Sequence, residues 1–188
     1  LVERRLPGVA ARTPDLVARL YNEAEGLAFF IVEYLSALER AEIDPNAPWQ
    51  QPESIRDLLR SRLSRIGEVE QQVLTTAAVV GRSFDFATLR TASGRSEDET
   101  LQAIEVLVAR TLLREIEGEV FDFAHEQLRA VVYESASLTR RRLLHRRVAD
   151  TLVAGERVRG REGLLDAARI AQHYEQSGQM PDAARYYF

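Results

Sequence analysis

The stretch SEDETLQAIEVLVARTLLREIEGEVFDF, residues 96–123, decides the fold of this 188-residue chain because its hydrophobic period changes midway. Ser96 and Glu99 have the spacing of a capping box, which predicts the start of a helix. Apolar residues then recur at helical spacing, at Leu101, Ile104, Leu107 and Val108. From Leu113 the period becomes two, and the turn Glu117-Gly118-Glu119 joins two alternating segments. The sequence therefore predicts a helix followed by a β-hairpin.

Two further helices are predicted upstream of the capping box. The first, over residues 68–80, is strongly apolar and is closed by Gly81, and the second, over about residues 86–92, is short. Three helices followed by a hairpin are typical of a winged helix, a helix-turn-helix variant with a two-stranded wing. We therefore predict a winged-helix domain over residues 67–135.

Residues 1–66 are predicted to form a helical lid and linker. One helix is expected after Thr13-Pro14-Asp15, with a left-handed stop at Gly26, and another helix follows it. The proline-containing segment 43–52 predicts a loop that Trp49 anchors. Apolar residues recur at helical spacing on both helices, at Leu16, Val17, Leu20, Tyr21 and Ala24 on the first and at Phe30, Ile31, Tyr34, Leu35 and Leu38 on the second, and we interpret Phe29 and Phe30 as core residues.

Residues 136–188 are predicted to form a helical linker and the first helix pair of a tetratricopeptide-like repeat. The linker helix is expected over about residues 139–153, followed by a flexible, charged break at Gly155–Gly160. Because one repeat cannot bury its own face, we expect the chain to be part of a longer protein. The predicted fold class is mainly α: a helical lid, a winged helix of three helices and a hairpin, and the start of helical repeats.

The composition excludes several kinds of chemistry. The chain has 25 basic and 29 acidic residues, a formal charge of −4, and every basic residue is arginine. The absence of lysine excludes a P-loop lysine, and the absence of cysteine excludes disulfides and thiolate metal sites. The histidines His125, His145 and His173 lie far apart in the sequence, and none has a partner at the spacing of metal ligands. We predict neither a catalytic nor a metal site.

The sequence also predicts where the protein resides. No run approaches the 18 or so uncharged apolar residues that a transmembrane helix needs. The N-terminus lacks the apolar segment of a secretion signal. We predict a cytoplasmic protein without a membrane partner.

The charge of the predicted winged helix argues against direct DNA binding. The first turn of its third helix carries three carboxylates, and its hairpin carries four acidic residues against Arg114 alone. Proteins that bind DNA gain most of their affinity by neutralising phosphates with basic side chains. We therefore predict that this face does not read DNA, and DNA binding stays an alternative function.

One basic cluster surrounds His145. It consists of Arg140, Arg141, Arg142, Arg146 and Arg147. Such a run is typical of a solvated helix face. The functional alternative is a surface that docks an acidic partner or phosphate, for which Arg141, Arg142 and Arg146 are the candidate residues.

Four stretches, in this order, carry a resemblance to a known family. They are EGLAFFIVEYL at 25–35, PESIRDLL at 52–59 with AAVVGRSF at 77–84, FDFAHEQLR at 121–129 and RRLLHRRVA at 141–149. On these residues the chain resembles the region that follows the nucleotide-binding core of STAND ATPases, the signal-transducing ATPases with numerous domains. It looks most like the AAA+-like modules attached to bacterial LuxR-type or SARP-type transcriptional regulators and to some adenylate cyclases.

The resemblance implies a non-catalytic regulatory region that couples the ATP or ADP state of a full-length parent to signalling, in a transcriptional regulator. The parent would bind ATP or ADP with Mg²⁺, and this region alone would bind neither. Gly26 of the lid and His125 of the winged helix match the family's nucleotide contacts, the histidine at the ADP β-phosphate. Two positions depart from the family pattern: Ala28 replaces a proline and Glu126 replaces an aspartate.

The resemblance also implies partners within the same chain, namely an upstream nucleotide-binding domain and downstream helical repeats. The residues themselves leave other interpretations open. His125 can instead cap the helix after the hairpin, and we interpret His145 and His173 as structural. The third possible function, beside regulation and DNA binding, is a helical protein–protein interaction scaffold.

Overall fold

The structure, a computed structural model, describes residues 15–159 and 164–187. The chain is mainly helical, as the sequence predicts, with ten helices and one three-stranded sheet within those residues. It divides into two compact units, residues 1–64 and residues 65–188. None of the helices in the described ranges combines the length and the apolar character that a membrane crossing requires.

The first unit contains the helices α1 (Leu16–Glu23), α2 (Ala28–Glu39) and α3 (Glu53–Leu63). Asp15 is the residue before α1, while Thr13 and Pro14, part of the predicted start, lie outside the described residues. Gly26 has the predicted left-handed conformation (φ +74°) and donates its backbone N–H to the carbonyl of Tyr21 at 3.1 Å. It thereby closes the turn between α1 and α2.

The loop between α2 and α3 is held by Trp49, as predicted. Its indole stacks on Tyr34 of α2 with 5.6 Å between ring centroids, and its Nε1 donates to the carbonyl of Asp44 at 3.1 Å. The guanidinium of Arg19 lies 4.5 Å from the indole centroid and also donates to the carbonyl of Pro45 at 2.9 Å. A cation–π contact and a backbone hydrogen bond thus tie α1 to the loop.

The predicted apolar face of α1 is too wide, whereas Phe30, Tyr34, Leu35 and Leu38 on the predicted face of α2 are buried. Leu16, Leu20 and Phe30 are buried, but Val17, Tyr21 and Phe29 are 59%, 64% and 47% exposed. The eight-residue helix α1 buries only one residue per turn, at positions i and i+4, so the neighbouring apolar positions face outward.

The second unit begins with α4 (Glu68–Val80), β1 (Ser83–Asp85), α5 (Phe86–Ser93), α6 (Glu97–Ala109), β2 (Leu113–Glu115) and β3 (Val120–Phe123). The predicted hairpin is present, because β2 pairs antiparallel with β3. The sequence does not predict β1, since three residues are too few to show an alternation. This strand pairs with the other edge of β3, which gives the sheet order β1-β3-β2.

The capping box at the start of α6 is formed in both directions. The N–H of Glu99 donates to Ser96 Oγ at 3.2 Å, and the N–H of Ser96 donates to Glu99 Oε2 at 3.0 Å. The second of these hydrogen bonds is the main reason why the pKa of Glu99 is lowered. Gly94, in the left-handed conformation (φ +70°), ends α5 just before the box.

Asp122 holds the three strands together from the centre of the sheet. Its register partners are Ser83 on β1 and Arg114 on β2, and the side chains of both donate hydrogen bonds to its carboxylate, Arg114 at 2.9 Å. The carboxylate is almost fully buried. Burial raises its pKa, but the hydrogen bonds from Ser83 and Arg114 outweigh burial, and the net shift is downward.

Four helices complete the second unit: α7 (Glu126–Ser135), α8 (Leu138–Arg159), α9 (Leu164–Ser177) and α10 (Met180–Tyr187). The break predicted from Gly155 is wrong over residues 155–159, because α8 continues to Arg159; Gly160 lies outside the described residues. One glycine costs a helix only about 1 kcal/mol, which a 22-residue helix tolerates.

A small apolar cluster joins α8, α9 and α10. Its buried members are Ala149, Ile170, Tyr174 and Ala183. Gly178, with φ +87°, forms the turn between α9 and α10. The assignment of α9 and α10 to a tetratricopeptide-like repeat stays a prediction, and so does the domain boundary after residue 135.

Candidate functional site

The two residues predicted to contact nucleotide lie in different units. Gly26 belongs to the first unit and His125 to the second. His125 is the half-buried N-cap residue of α7, in extended conformation, and its backbone carbonyl accepts the N–H groups of Leu128 and Arg129 at 3.1 and 3.3 Å. His125 therefore occupies the N-cap position of the helix after the hairpin, as the alternative interpretation expected, although its imidazole makes no capping hydrogen bond. The nucleotide contacts stay predictions.

The three arginines predicted to bind a partner have different environments on α8. Arg142 and Arg146 are exposed, and Arg146 lies 3.8 Å from Asp150 in an ion pair one helical turn away. Arg141 is half-buried, with its guanidinium 5.0 Å from the ring centroid of Tyr133 on α7. Arg141 therefore packs against the protein, and the docking role of all three stays a prediction.

The structure brings together two histidines that are far apart in the sequence. Nδ1 of His145 on α8 lies 2.9 Å from Nδ1 of His173 on α9, and each residue is only 6% exposed. Nε2 of His145 lies 2.9 Å from the hydroxyl of Tyr133 on α7. Tyr133, His145 and His173 thus form a hydrogen-bonded chain across three helices, which we call the histidine chain.

The Nδ1–Nδ1 contact restricts the protons on the histidine chain. A hydrogen bond between two ring nitrogens requires that one of them carry the proton and the other accept it. If His145 donates from Nδ1, its Nε2 accepts the hydroxyl proton of Tyr133; if His173 donates, His145 instead donates from Nε2 to the Tyr133 oxygen. Both neutral arrangements keep both contacts, and they differ only in the direction in which the hydrogen bonds run.

Both imidazoles are held neutral by their surroundings. Burial lowers the pKa of His145 to about 4, and the nearby charge of Arg141 acts in the same direction. Burial lowers the pKa of His173 to about 3, with further contributions from His145 and Arg169. If both imidazoles were protonated, both Nδ1 atoms would carry a proton and neither could accept the hydrogen bond. The contact therefore also disfavours the state in which both histidines are charged.

Two arginines bind the end of α4 next to the histidine chain. Arg129 of α7 donates to the carbonyl of Ala78 at 3.1 Å, and Arg169 of α9 donates to the carbonyl of Val80 at 3.2 Å. The last carbonyls of a helix have no partner within the helix and carry its negative dipole end, so cations are favoured there. The end of α4 is therefore a point to which both α7 and α9 are attached.

The histidine chain and these two arginines line one cavity of about 440 Å³ beside Gly81. Among its polar side chains, the histidine chain is hydrogen-bonded internally and the two arginines bond backbone carbonyls, so these groups join helices α4, α7, α8 and α9. Within the described ranges no group of three or more acidic or histidine side chains could hold a metal ion.

Sequence reasoning missed this junction, although one signal pointed to it. His145 comes directly after Leu144 and three residues before Val148. His173 comes two residues after Ala171 and directly before Tyr174, so both histidines occur on apolar helix faces. That pattern indicates burial, but it does not show that the two residues meet. No family model, curated protein or solved structure matches the chain.

Proposed function

We propose that this chain is a non-catalytic regulatory region of a STAND-type ATPase, in a cytoplasmic transcriptional regulator, and that it couples the ATP or ADP state of the parent to a helical region. The order of α4 to β3 is that of a winged helix, and α9 with α10 is the first helix pair of a repeat. The observation that carries the proposal is the position of α7, which has His125 at its start and Tyr133 of the histidine chain near its end.

The coupling begins at His125. In the parent this imidazole contacts the β-phosphate of ADP, held by an upstream nucleotide-binding domain with its Mg²⁺, and Gly26 lies at the adenine. His125 directly follows the hairpin and starts α7. Since α7 is a continuous helix, a displacement at His125 moves the whole helix.

The coupling continues through the histidine chain. Tyr133 bonds His145 on α8, and His145 bonds His173 on α9, so α7 cannot shift along α8 without stretching a hydrogen bond at 2.9 Å. Arg129 attaches α7 to α4 at the same place. Exchange of ADP for ATP shifts the conformation of the helical region only if these contacts differ in free energy between the ADP-bound and ATP-bound states of the parent.

The chain itself supplies no chemistry for hydrolysis. It has no lysine that could bind the phosphates, and its one histidine with a proposed nucleotide contact lies on a regulatory helix. We therefore expect no micromolar ATP affinity for this chain alone, and isothermal titration calorimetry checks this. A micromolar affinity would contradict the proposal that the upstream domain, and not this chain alone, binds the nucleotide.

The decisive experiment uses the intact parent and measures the rate of ADP release. His125→Ala is expected to speed ADP release, whereas Gln102→Ala, an exposed position on α6, is the matched control and should leave it unchanged. Tyr133→Phe keeps His125 and is expected to leave ADP binding intact while it weakens the response of the helical region. ADP release that His125→Ala does not change would overturn the proposal.

Direct DNA binding is the weaker alternative. The face of α6 and the hairpin carries the exposed carboxylates Glu97, Glu105, Glu115 and Glu119. A duplex would be repelled there, since its affinity for proteins comes largely from phosphate neutralisation. Salt-dependent binding of a short duplex to this chain would favour that alternative, and electrophoretic mobility shift detects it.

A further inference from the structure

We infer that the groove between α6 and the hairpin binds a basic amphipathic segment of another protein, one with apolar side chains on one face and arginine or lysine at its edges. The groove has a volume of about 570 Å³. This inference does not depend on the ATPase assignment, because it follows from a different surface of the second unit. We call this surface the acidic groove.

The floor of the acidic groove is apolar. Leu101, Ile104 and Val108 of α6 lie at successive turns and face Phe86 of α5 and Phe121 of β3. Leu101 is 47% exposed, although its neighbour Ile104 is almost fully buried. An apolar floor that stays in contact with water indicates a surface on which another molecule gains free energy by covering it.

The rim of the acidic groove is negative on both sides. Glu97 and Glu105 lie on α6, and Glu115 and Glu119 lie on the hairpin. All four are exposed, and none makes an ion pair or side-chain hydrogen bond with a residue whose side chain the structure describes, namely residues 15–155 and 167–187. Arg95 and Arg114, which lie nearby in the sequence, bond Glu99 and Asp122 instead.

The arrangement of floor and rim specifies the charge of the occupant. Four unpaired carboxylates around an apolar floor raise the local negative potential, so cationic partners are attracted and nucleic acids or acidic proteins are repelled. Glu97 and Glu105 are eight residues apart on one helix, which places them about 12 Å apart along its axis. An occupant with two turns of apolar side chains between flanking basic residues matches that spacing.

Hydrogen bonds and ring packing within the second unit hold the elements that form the walls of the groove. The capping box of Ser96 and Glu99 holds the start of α6, and Asp122 bonds both edge strands of the sheet. Phe84 stacks on Phe121 beneath the floor with 6.2 Å between centroids. A rigid, preformed groove binds an amphipathic helix at a low cost in conformational entropy.

The test measures binding of a labelled synthetic peptide to the full chain by fluorescence anisotropy. The probe is a helical peptide of about 15 residues, or about four turns, with leucine on one face and arginine at both edges. We expect saturable binding that weakens as salt rises. Two control peptides, one with glutamate in place of arginine and one with serine in place of leucine, are expected to bind at least about tenfold more weakly.

Matched variants of the protein locate the site. Glu105→Arg on the rim is expected to weaken probe binding about tenfold, whereas Glu117→Arg, the same charge change on an exposed hairpin position outside the groove, should not. Leu101→Ser is expected to weaken binding without a change in rim charge. Circular dichroism and thermal unfolding verify that each variant remains folded.

Several outcomes would overturn the inference. They are equal binding of the acidic and basic peptides and an equal effect of Glu105→Arg and Glu117→Arg. Concentration-dependent self-association in analytical ultracentrifugation that Glu105→Arg abolishes would mean that a second copy, not another protein, occupies the groove. Binding of the basic peptide that is weakened by both Glu105→Arg and Leu101→Ser would support the inference.

Discussion

The second unit contains two cavities of similar size but opposite character. At the junction, Tyr133, His145 and His173 bond one another, and the two arginines bond carbonyls at the end of α4. The acidic groove is open, and its four rim carboxylates bond no other described residue. Hydrogen-bonded buried groups stabilise and position helices, whereas exposed carboxylates around an apolar floor form the surface that we infer binds a basic segment.

The comparison predicts that the junction matters most for stability. His173→Ala removes a buried ring and leaves Nδ1 of His145 without its partner, so we expect a loss of about 2–3 kcal/mol in the free energy of unfolding. Urea denaturation measures this loss. Gln172→Ala, an exposed neighbour on α9, is the control and should change the free energy by less than about 0.5 kcal/mol.

A double replacement sharpens the interpretation of that result. His145→Leu combined with His173→Leu removes both partners and refills the space, so it should cost less than His173→Ala. The single variants His145→Leu and His173→Leu complete the comparison. If their losses in the free energy of unfolding add up to the loss of the double variant, the hydrogen bond itself is not what stabilises the junction.

The second prediction concerns pH. The pKa values of His145 and His173 in the folded protein, about 4 and about 3, lie below the ordinary value of about 6.5. Below pH 6.5 the unfolded chain therefore binds protons that the folded chain does not, and stability that is full above pH 6.5 falls toward pH 4. We expect a loss of about 2 kcal/mol from each histidine, or about 4 kcal/mol together, between pH 7 and pH 5, measured by urea denaturation at each pH.

The source of that pH dependence is checked with the variant His173→Gln. This variant has one titrating imidazole fewer in the junction, so its stability should fall less steeply between pH 7 and pH 5. An equally steep curve would assign the pH dependence to other groups.

A smaller effect is expected at the capping box that borders the acidic groove. Ser96→Ala removes the acceptor for the N–H of Glu99, and we expect a loss of about 1 kcal/mol in thermal or urea unfolding. Ser96→Asp, which keeps an acceptor at the N-cap, is the matched control and should retain most of the stability. A loss of the same size in both variants would contradict a capping role.

The smallest effect on stability is expected in the floor of the acidic groove. Leu101→Ser should change the free energy of unfolding by less than about 0.5 kcal/mol, because Leu101 is already half exposed. Leu107→Ala, a fully buried position on the same helix, should cost about 3 kcal/mol. If Leu101→Ser destabilised the protein as much as Leu107→Ala, the groove would be part of the core and the contrast between the two cavities would fail.

The candidate site was less predictable than the fold. The sequence indicated that His145 and His173 lie on apolar faces, but 28 residues separate them, and no local pattern reports which side chains meet at that distance. Arg141 appears in the sequence as one of five similar arginines, yet it alone of the three candidates packs on an aromatic ring. The rim glutamates were recognised only as a charge that disfavours DNA, because their position around an apolar floor depends on how the hairpin folds against α6.

The sequence by itself determined the features whose causes lie within one element: the capping box, the helical and alternating periods, the left-handed glycine at position 26 and the mainly helical class. These features follow from backbone hydrogen bonding and side-chain spacing over a few residues. Only the tertiary structure decided the pairing of β1 with β3, the exposure of Phe29 and the meeting of the histidines. Each of these depends on packing between distant segments, whose free energy is not encoded in any one window of the chain.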